Sequence, residues 1–143
     1  MGLYYTNTIT QPFIGTKSGT TRTSVELAST YTLSKTIETS GYSKLNLDVL
    51  YTMGSGESSN SIEIKVEGSP DRTNFYRIPN DSTTNGTSTL TAREFTFVGT
   101  NAAAATISIG IDIFYKYVKI SAKETGVAAN AGTIYIEGTL AGK

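Results

Sequence analysis

Between Ile62 and Glu67 the chain alternates without a break. Ile62, Ile64 and Val66 fall on one side, and Glu63, Lys65 and Glu67 on the other. A period of two belongs to a strand with one dry face and one wet face; a helical period would scatter the same residues around a cylinder. The chain must then turn. Ser69 suits the first position of a type I turn, Pro70 fixes φ at the second, and Asp71 tolerates the third. Phe75, Tyr76 and Ile78 restart an extended run. A chain organised around such a unit must bury one face of a sheet against something else.

The same pattern recurs along the sequence. Val25 to Leu33 reads as a strand, with Val25, Leu27, Tyr31 and Leu33 able to share a face. Ser40-Gly41 marks a turn. From Tyr42 to Met53, Leu45, Leu47, Val49, Tyr51 and Met53 alternate with Lys44, Asn46, Asp48 and Thr52; Leu50 is the apolar residue on the wet side. Gly54 to Asn60 is a flexible loop. It is too short for a parallel crossover, so the strands it joins are expected to be antiparallel neighbours. Pro79 to Ser88 is a second loop, in which Asn85-Gly86 suits a type I′ hairpin turn. Leu90 to Val98 is extended around Phe95 and Phe97. Ile107, Ile109, Ile111 and Ile113 alternate with Ser108, Gly110 and Asp112. Val118, Ile120 and Ala122 point inward from Tyr115 to Lys123, and Thr133 to Leu140 closes the domain with Ile134, Ile136 and Leu140 on one face. No segment carries a helical period. Short strands separated by turn signals predict an all-β sandwich or barrel, of which a jelly-roll-like antiparallel sandwich is the expectation.

The first 19 residues read as an N-terminal arm, and 20–143 as a single β-sandwich domain. Leu3, Tyr4, Tyr5, Ile9, Phe13 and Ile14 are apolar but irregularly spaced, and Pro12 bars a central-strand role. Two roles are open to the arm: an edge strand of its own domain, or a strap docked on a neighbouring subunit. The second makes these six residues, with Leu50, the candidate interface. MGLYYT also matches the myristoylation pattern through Gly2 and Thr6, a short pattern that chance often produces.

The composition narrows the chemistry. There is no cysteine and no histidine, so no disulfide, no thiolate metal site, and neither the commonest general base nor the commonest metal ligand. Without histidine none of the serines has the usual activating base. Carboxylates are the remaining acid–base groups: Asp48, Glu63 and Glu67 on outward strand positions, Asp71 and Asp81 in turns, and Asp112 among isoleucines. They read as solvated faces and turn formers. Asp71, Asn74 and Asp81 offer oxygen ligands for calcium, but their spacing matches no EF-hand loop. No Walker or dinucleotide glycine motif occurs, and no cofactor is expected.

Net charge is zero, so there is no basic footprint for nucleic acid. The N-terminus lacks the basic and apolar regions of a secretory signal, and no run approaches a membrane span of about 20 apolar residues. Synthesis in a cytoplasm without a membrane anchor is the expectation. In that setting the Asn80 and Asn85 sequons carry little weight. Tyr42, Tyr76, Tyr115 and Tyr117 could line a sugar-binding face, although the chain has no tryptophan.

Two stretches carry a resemblance. EGSPDRTNFYRI resembles the strand, Ser-x-Asp turn and aromatic restart of discoidin-like jelly-roll sandwiches, and YKYVKISAK resembles their late aromatic-x-Tyr-Val-x-Ile strand. The whole chain is similar in style to small virion structural proteins of tailed bacteriophages: cysteine-free, rich in Thr, Ser, Gly and Ala, with an N-terminal arm on a β-sandwich. That resemblance implies a non-enzymatic capsid decoration or cement protein located in the virion. It implies binding to the major capsid protein lattice and homo-oligomers, and it carries over no functional residue. The alternative is a carbohydrate-binding module of a phage fibre or bacterial surface protein.

Overall fold

The computed structural model describes residues 7–77, 79–84, 87–92, 94–98 and 104–142, with side chains described for 7–76 and 106–142. Fourteen strands follow in order: β1 (Asn7–Ile14), β2 (Thr16–Ser18), β3 (Thr21–Thr23), β4 (Val25–Glu26), β5 (Leu33–Glu38), β6 (Lys44–Thr52) and β7 (Ser61–Ser69). Then come β8 (Tyr76–Arg77), β9 (Pro79–Thr84), β10 (Thr87–Ala92), β11 (Glu94–Val98), β12 (Ala104–Asp112), β13 (Tyr117–Thr125) and β14 (Thr133–Gly142). Among the described residues there is no helix, and every strand pair is antiparallel.

Two five-stranded sheets form a jelly-roll-like sandwich. The first runs β1-β14-β6-β12, with β4 also on β14; the second runs β11-β7-β13-β5, with β8 also on β7. The alternation read from the sequence sets their inner faces. Leu45, Leu47, Val49 and Tyr51 of β6, Ile134, Ile136 and Leu140 of β14, and Ile109 and Ile111 of β12 meet Ile62, Ile64 and Val66 of β7 and Val118, Ile120 and Ala122 of β13 in one buried cluster. Each buried aliphatic side chain contributes about 1.5–3 kcal/mol. The register sets Phe95 and Phe97 opposite Ile64 and Ile62.

Three expectations are corrected. Pro79–Ser88 is not a loop: it holds β9 and the start of β10, paired as a hairpin. The strands flanking Gly54–Asn60 are not neighbours: β6 lies in the first sheet and β7 in the second, so the loop crosses the sandwich. Local alternation says which face is dry but not which sheet a strand joins. Val25–Leu33 is likewise not one strand. It breaks into β4 and β5 around a turn at 29–32, and Tyr31 leaves the row of Val25 and Leu27.

Both sheets share a device. Along β14 one edge is filled by β1 and then β4, with the hairpin β2–β3 looping out between them. Along β7 one edge is filled by β8 and β11, with the hairpin β9–β10 looping out between them. Thr84 pairs with Thr87 at the tip of that second hairpin; Asn85 and Gly86, expected to form the turn, lie outside the described residues.

Candidate functional site

Segment 7–14 is a strand of this sandwich. It pairs with β14 from Asn7↔Gly142 to Ile14↔Ile136, with a bulge between Pro12 and Ile14. Pro12 fits there because an edge strand needs no outward amide at that position. The bulge turns both Phe13 and Ile14 into the core, where both are buried. The space for Phe13 comes from Gly138, where a Cβ would collide with the phenyl ring. Phe13 and Ile14 therefore belong to the domain's own core and are not surface contacts. Ile9 remains 44% exposed on β1. Leu50 is half-buried on the opposite face of the sheet, in register with Tyr135. Leu3, Tyr4 and Tyr5 lie outside the described residues. The structure thus does not gather the described interface candidates into one patch.

Past β1, Gly15 adopts φ 85° against Thr23 and Tyr135, a conformation favoured only by glycine. This launches β2–β3 back over the outer face of the first sheet. There Lys17 Nζ donates to Glu137 Oε1 (2.7 Å) and Arg22 to Glu137 Oε2 (3.0 Å). The Arg22 guanidinium sits 5.5 Å from the centre of the Tyr135 ring. The Lys17 hydrogen bond comes first among the causes that hold the Glu137 carboxyl below its ordinary range, with the charges of both cations adding to it.

Sequence reasoning missed three carboxylates of this kind. Glu57 accepts from the backbone N–H groups of Ala128 (3.2 Å), Ala129 (2.7 Å) and Asn130 (2.8 Å). Those bonds, the Asn130 one foremost, depress its pKa. Glu124 is buried and accepts from the Tyr51 hydroxyl (2.5 Å), Asn60 Nδ2 (3.3 Å) and Gly132 N (2.7 Å). Burial, then the Glu124 bond, push the Tyr51 hydroxyl above its usual range. Together Glu57 and Glu124 tie loops 53–60 and 126–132 to each other. One signal existed for Glu124: the alternation Val118, Ile120, Ala122 lands on it in one more step. Glu57 and Glu137 carry no local signal, because what covers them comes from distant chain.

The carboxylates expected in solvent are also committed. Asp71 accepts from Thr73 N (2.9 Å), Asn74 N (2.8 Å), Asn74 Nδ2 (2.7 Å) and the Ser69 hydroxyl (3.0 Å), which closes the turn after β7 and holds its pKa well below the carboxylate range. Glu67 lies 3.4 Å from both Lys65 and Lys119, and Glu63 lies 3.0 Å from Lys123. Asp48 accepts from Asn46, and Asp112 pairs with Lys44. The side chain of Asp81 lies outside the described residues, and among those described no group of three potential acid or imidazole ligands converges.

The aromatic rings do not form one platform. Tyr42 and Tyr115 pack against the core. Tyr76 is 55% exposed. Tyr117 lies 5.9 Å from Arg72 and 5.4 Å from Lys116. Two rings outside that set of four cover the outer face of the second sheet: Tyr31 over Lys65 and Lys123 (4.5 and 4.8 Å), and Phe75 over Lys119 (4.2 Å). Their faces are taken by ammonium groups, which favour the negative face of the ring. The outer face of the first sheet holds a depression of about 400 Å³ lined by Lys44, Asn46, Asp112, Thr139 and the adjoining backbone.

The remaining feature is an edge. β12 pairs with β6 in unbroken register from Ala104↔Thr52 to Asp112↔Lys44, and among the described residues no strand pairs with its other side.

No known protein family matches the sequence, and no curated protein matches it. Solved structures do. The SPBc2 prophage-derived protein YomS is 13% identical over 98% of this chain and 99% of its own, with a TM-score of 0.48. The CBM22-1 xylan-binding domain of Paenibacillus barcinonensis Xyn10C is 8% identical over 94% of this chain and 83% of its own, at 0.52. Dimeric latent PorU from Porphyromonas gingivalis is 11% identical over 98% of this chain but only 13% of its own length, at 0.54. For the two with TM-scores above 0.5 the likeness, at these identities, is one of fold alone: a β-sandwich.

Proposed function

We propose that this protein is a non-enzymatic structural protein of a bacteriophage virion, a decoration or cement protein that binds the major capsid protein lattice. The observation that carries this reading is the pairing of an open sheet edge with a domain whose described acid–base candidates are spent on structure. Asp71 closes a turn, Glu63 and Glu67 neutralise lysines, and Asp112 holds Lys44. Such a domain offers surfaces and edges rather than a reacting group. Zero net charge lets copies pack closely on a shell without long-range repulsion. The style of the sequence supports the same reading.

Co-sedimentation with particles that lack the protein tests it. Saturable recovery in the particle fraction is expected; a protein that stays in the supernatant at all ratios overturns the proposal.

The depression lined in part by Lys44, Asn46 and Thr139 favours one second reading, a carbohydrate-binding module. Against it, the rings of Tyr31 and Phe75 already lie on lysines, which take up faces that a sugar would stack on. Retention on insoluble xylan or a signal on a glycan array, without particle binding, would put this reading in place of the first.

A further inference from the structure

We propose that β12 is the self-association edge of this protein: two copies pair β12 antiparallel about a two-fold axis near Ile109, making the first sheet continuous across a dimer. The inference rests on the structural-protein reading above and names one of its contacts. An antiparallel edge strand turns the N–H and C=O of every second residue away from its sheet, a template for another strand. Protein edges are usually blunted by lysine, proline, a bulge or shortness. β5, the uninterrupted edge of the second sheet, is short and carries Lys35 and Glu38. β12 is nine residues long, with no lysine, no proline and no break in register. Its single charge, Asp112, is already paired with Lys44.

A second copy fits this edge because the sequence is complementary to itself in that register. Ile109 faces its own counterpart, and Ile107 faces the second copy's Ile111, all on the side continuous with the core. On the other side Ser108 faces Gly110, and Thr106 faces Asp112. No like charges oppose each other. A Cβ added at Gly110 would meet nothing within 4 Å, so space remains opposite Ser108. Ile107, now half-buried, gains cover. Just past the strand, Phe114 is 81% exposed, beside the place where the second copy's strand would begin.

The test uses the full chain and two double variants at exposed positions. Ser108→Lys with Gly110→Lys sets lysine opposite lysine twice across the seam. Ser108→Lys with Gly110→Glu sets lysine opposite glutamate twice. Sedimentation velocity over a concentration series should show a wild-type dimer, a loss of roughly tenfold or more in dimer affinity for the first variant, and recovery in the second. Melting temperatures report whether each variant is folded. A wild-type protein that stays monomeric at the highest soluble concentration overturns the proposal. So does a folded lysine–lysine variant that dimerises like wild type, or a charge-swapped variant no better than the lysine pair. Co-sedimentation of the same proteins with particles separates the two readings. A monomer that binds particles sinks only the edge proposal, and a dimer that ignores them sinks only the capsid one.

Discussion

The two edges of the first sheet are finished in opposite ways. Along β14 the chain closes its own edge with β1, a bulge at Pro12, the glycine turn at Gly15, a clamped hairpin and then β4. Along β6 it leaves β12 straight and whole. The first edge is irregular because each irregularity does something: the bulge buries Phe13 and Ile14, and the turn sends Lys17 and Arg22 onto Glu137. The second edge is regular and does nothing further within the described chain. A sheet that spends so much on one border and so little on the other has one border that ends the molecule and one that can continue it.

The largest expected effect breaks the closed edge outright. Deleting Met1–Ile14 removes β1 and two core side chains, so the truncated protein should not fold; circular dichroism and a missing melting transition check this. A truncated protein that melts normally would make segment 7–14 a mere attachment. Next comes a matched pair of truncations. Phe13→Ala should cost about 3–5 kcal/mol, because Gly138 leaves a cavity that nothing else can fill. Ile107→Ala, half-buried on the open edge, should cost about 1–2 kcal/mol. Equal losses in urea unfolding would mean that the two edges are packed alike.

The contrast between the edges also marks what could be read from the sequence. Strict alternation located the inner faces of β6, β7 and β13 residue by residue, because burial on one face imposes a period of two on each strand. Pro12 rightly ruled out a central position. The arm's irregular spacing was the signature of a bulge, which no periodicity rule resolves: two adjacent apolar residues, Phe13 and Ile14, both turn inward. The break at 29–32 was missed because Ser29, Thr30 and Thr32 supply no glycine or proline there, so Tyr31 was placed inside rather than over Lys65. Glu57 and Glu137 were invisible because their partners lie far along the chain. That β12 is a bare edge is equally unreadable locally, since it depends on what the remaining strands leave uncovered.

Acid should loosen the hairpin clamp on the closed edge. The folded pKa of Glu137 lies below its ordinary value of 4.5. Its contribution is therefore fully present above pH 4.5 and is lost as the pH falls through the depressed folded value. Amide exchange over residues 16–23 should accelerate in that acid window while exchange in β6 holds. Glu137→Gln should bring the faster exchange to neutral pH and lower stability by about 1 kcal/mol, the scale of partly exposed ion pairs. Exchange in the hairpin that ignores both acid and the substitution would show that Gly15 and strand pairing hold it without the carboxylate.

The smallest effect on stability separates the edges most directly. Thr10 on β1 and Ser108 on β12 are both exposed, each with one side-chain hydrogen bond to the neighbouring strand: Thr10 to Thr139 at 2.9 Å and Ser108 to Asn46 at 3.0 Å. Lysine at either position loses that bond and gains solvent, so both variants should melt within about 0.5 kcal/mol of the parent. Their association should differ. On the closed edge, Thr10→Lys adds a charge to a border already split by a bulge and a hairpin, and the sedimentation profile should not move. On the open edge, Ser108→Lys brings two lysines into diagonal neighbourhood across the two-fold axis, within about 7–8 Å, and should weaken self-association by a small factor that added salt restores. If Thr10→Lys shifts the association and Ser108→Lys does not, the roles of the two edges are reversed, and the closed border is where the molecule continues.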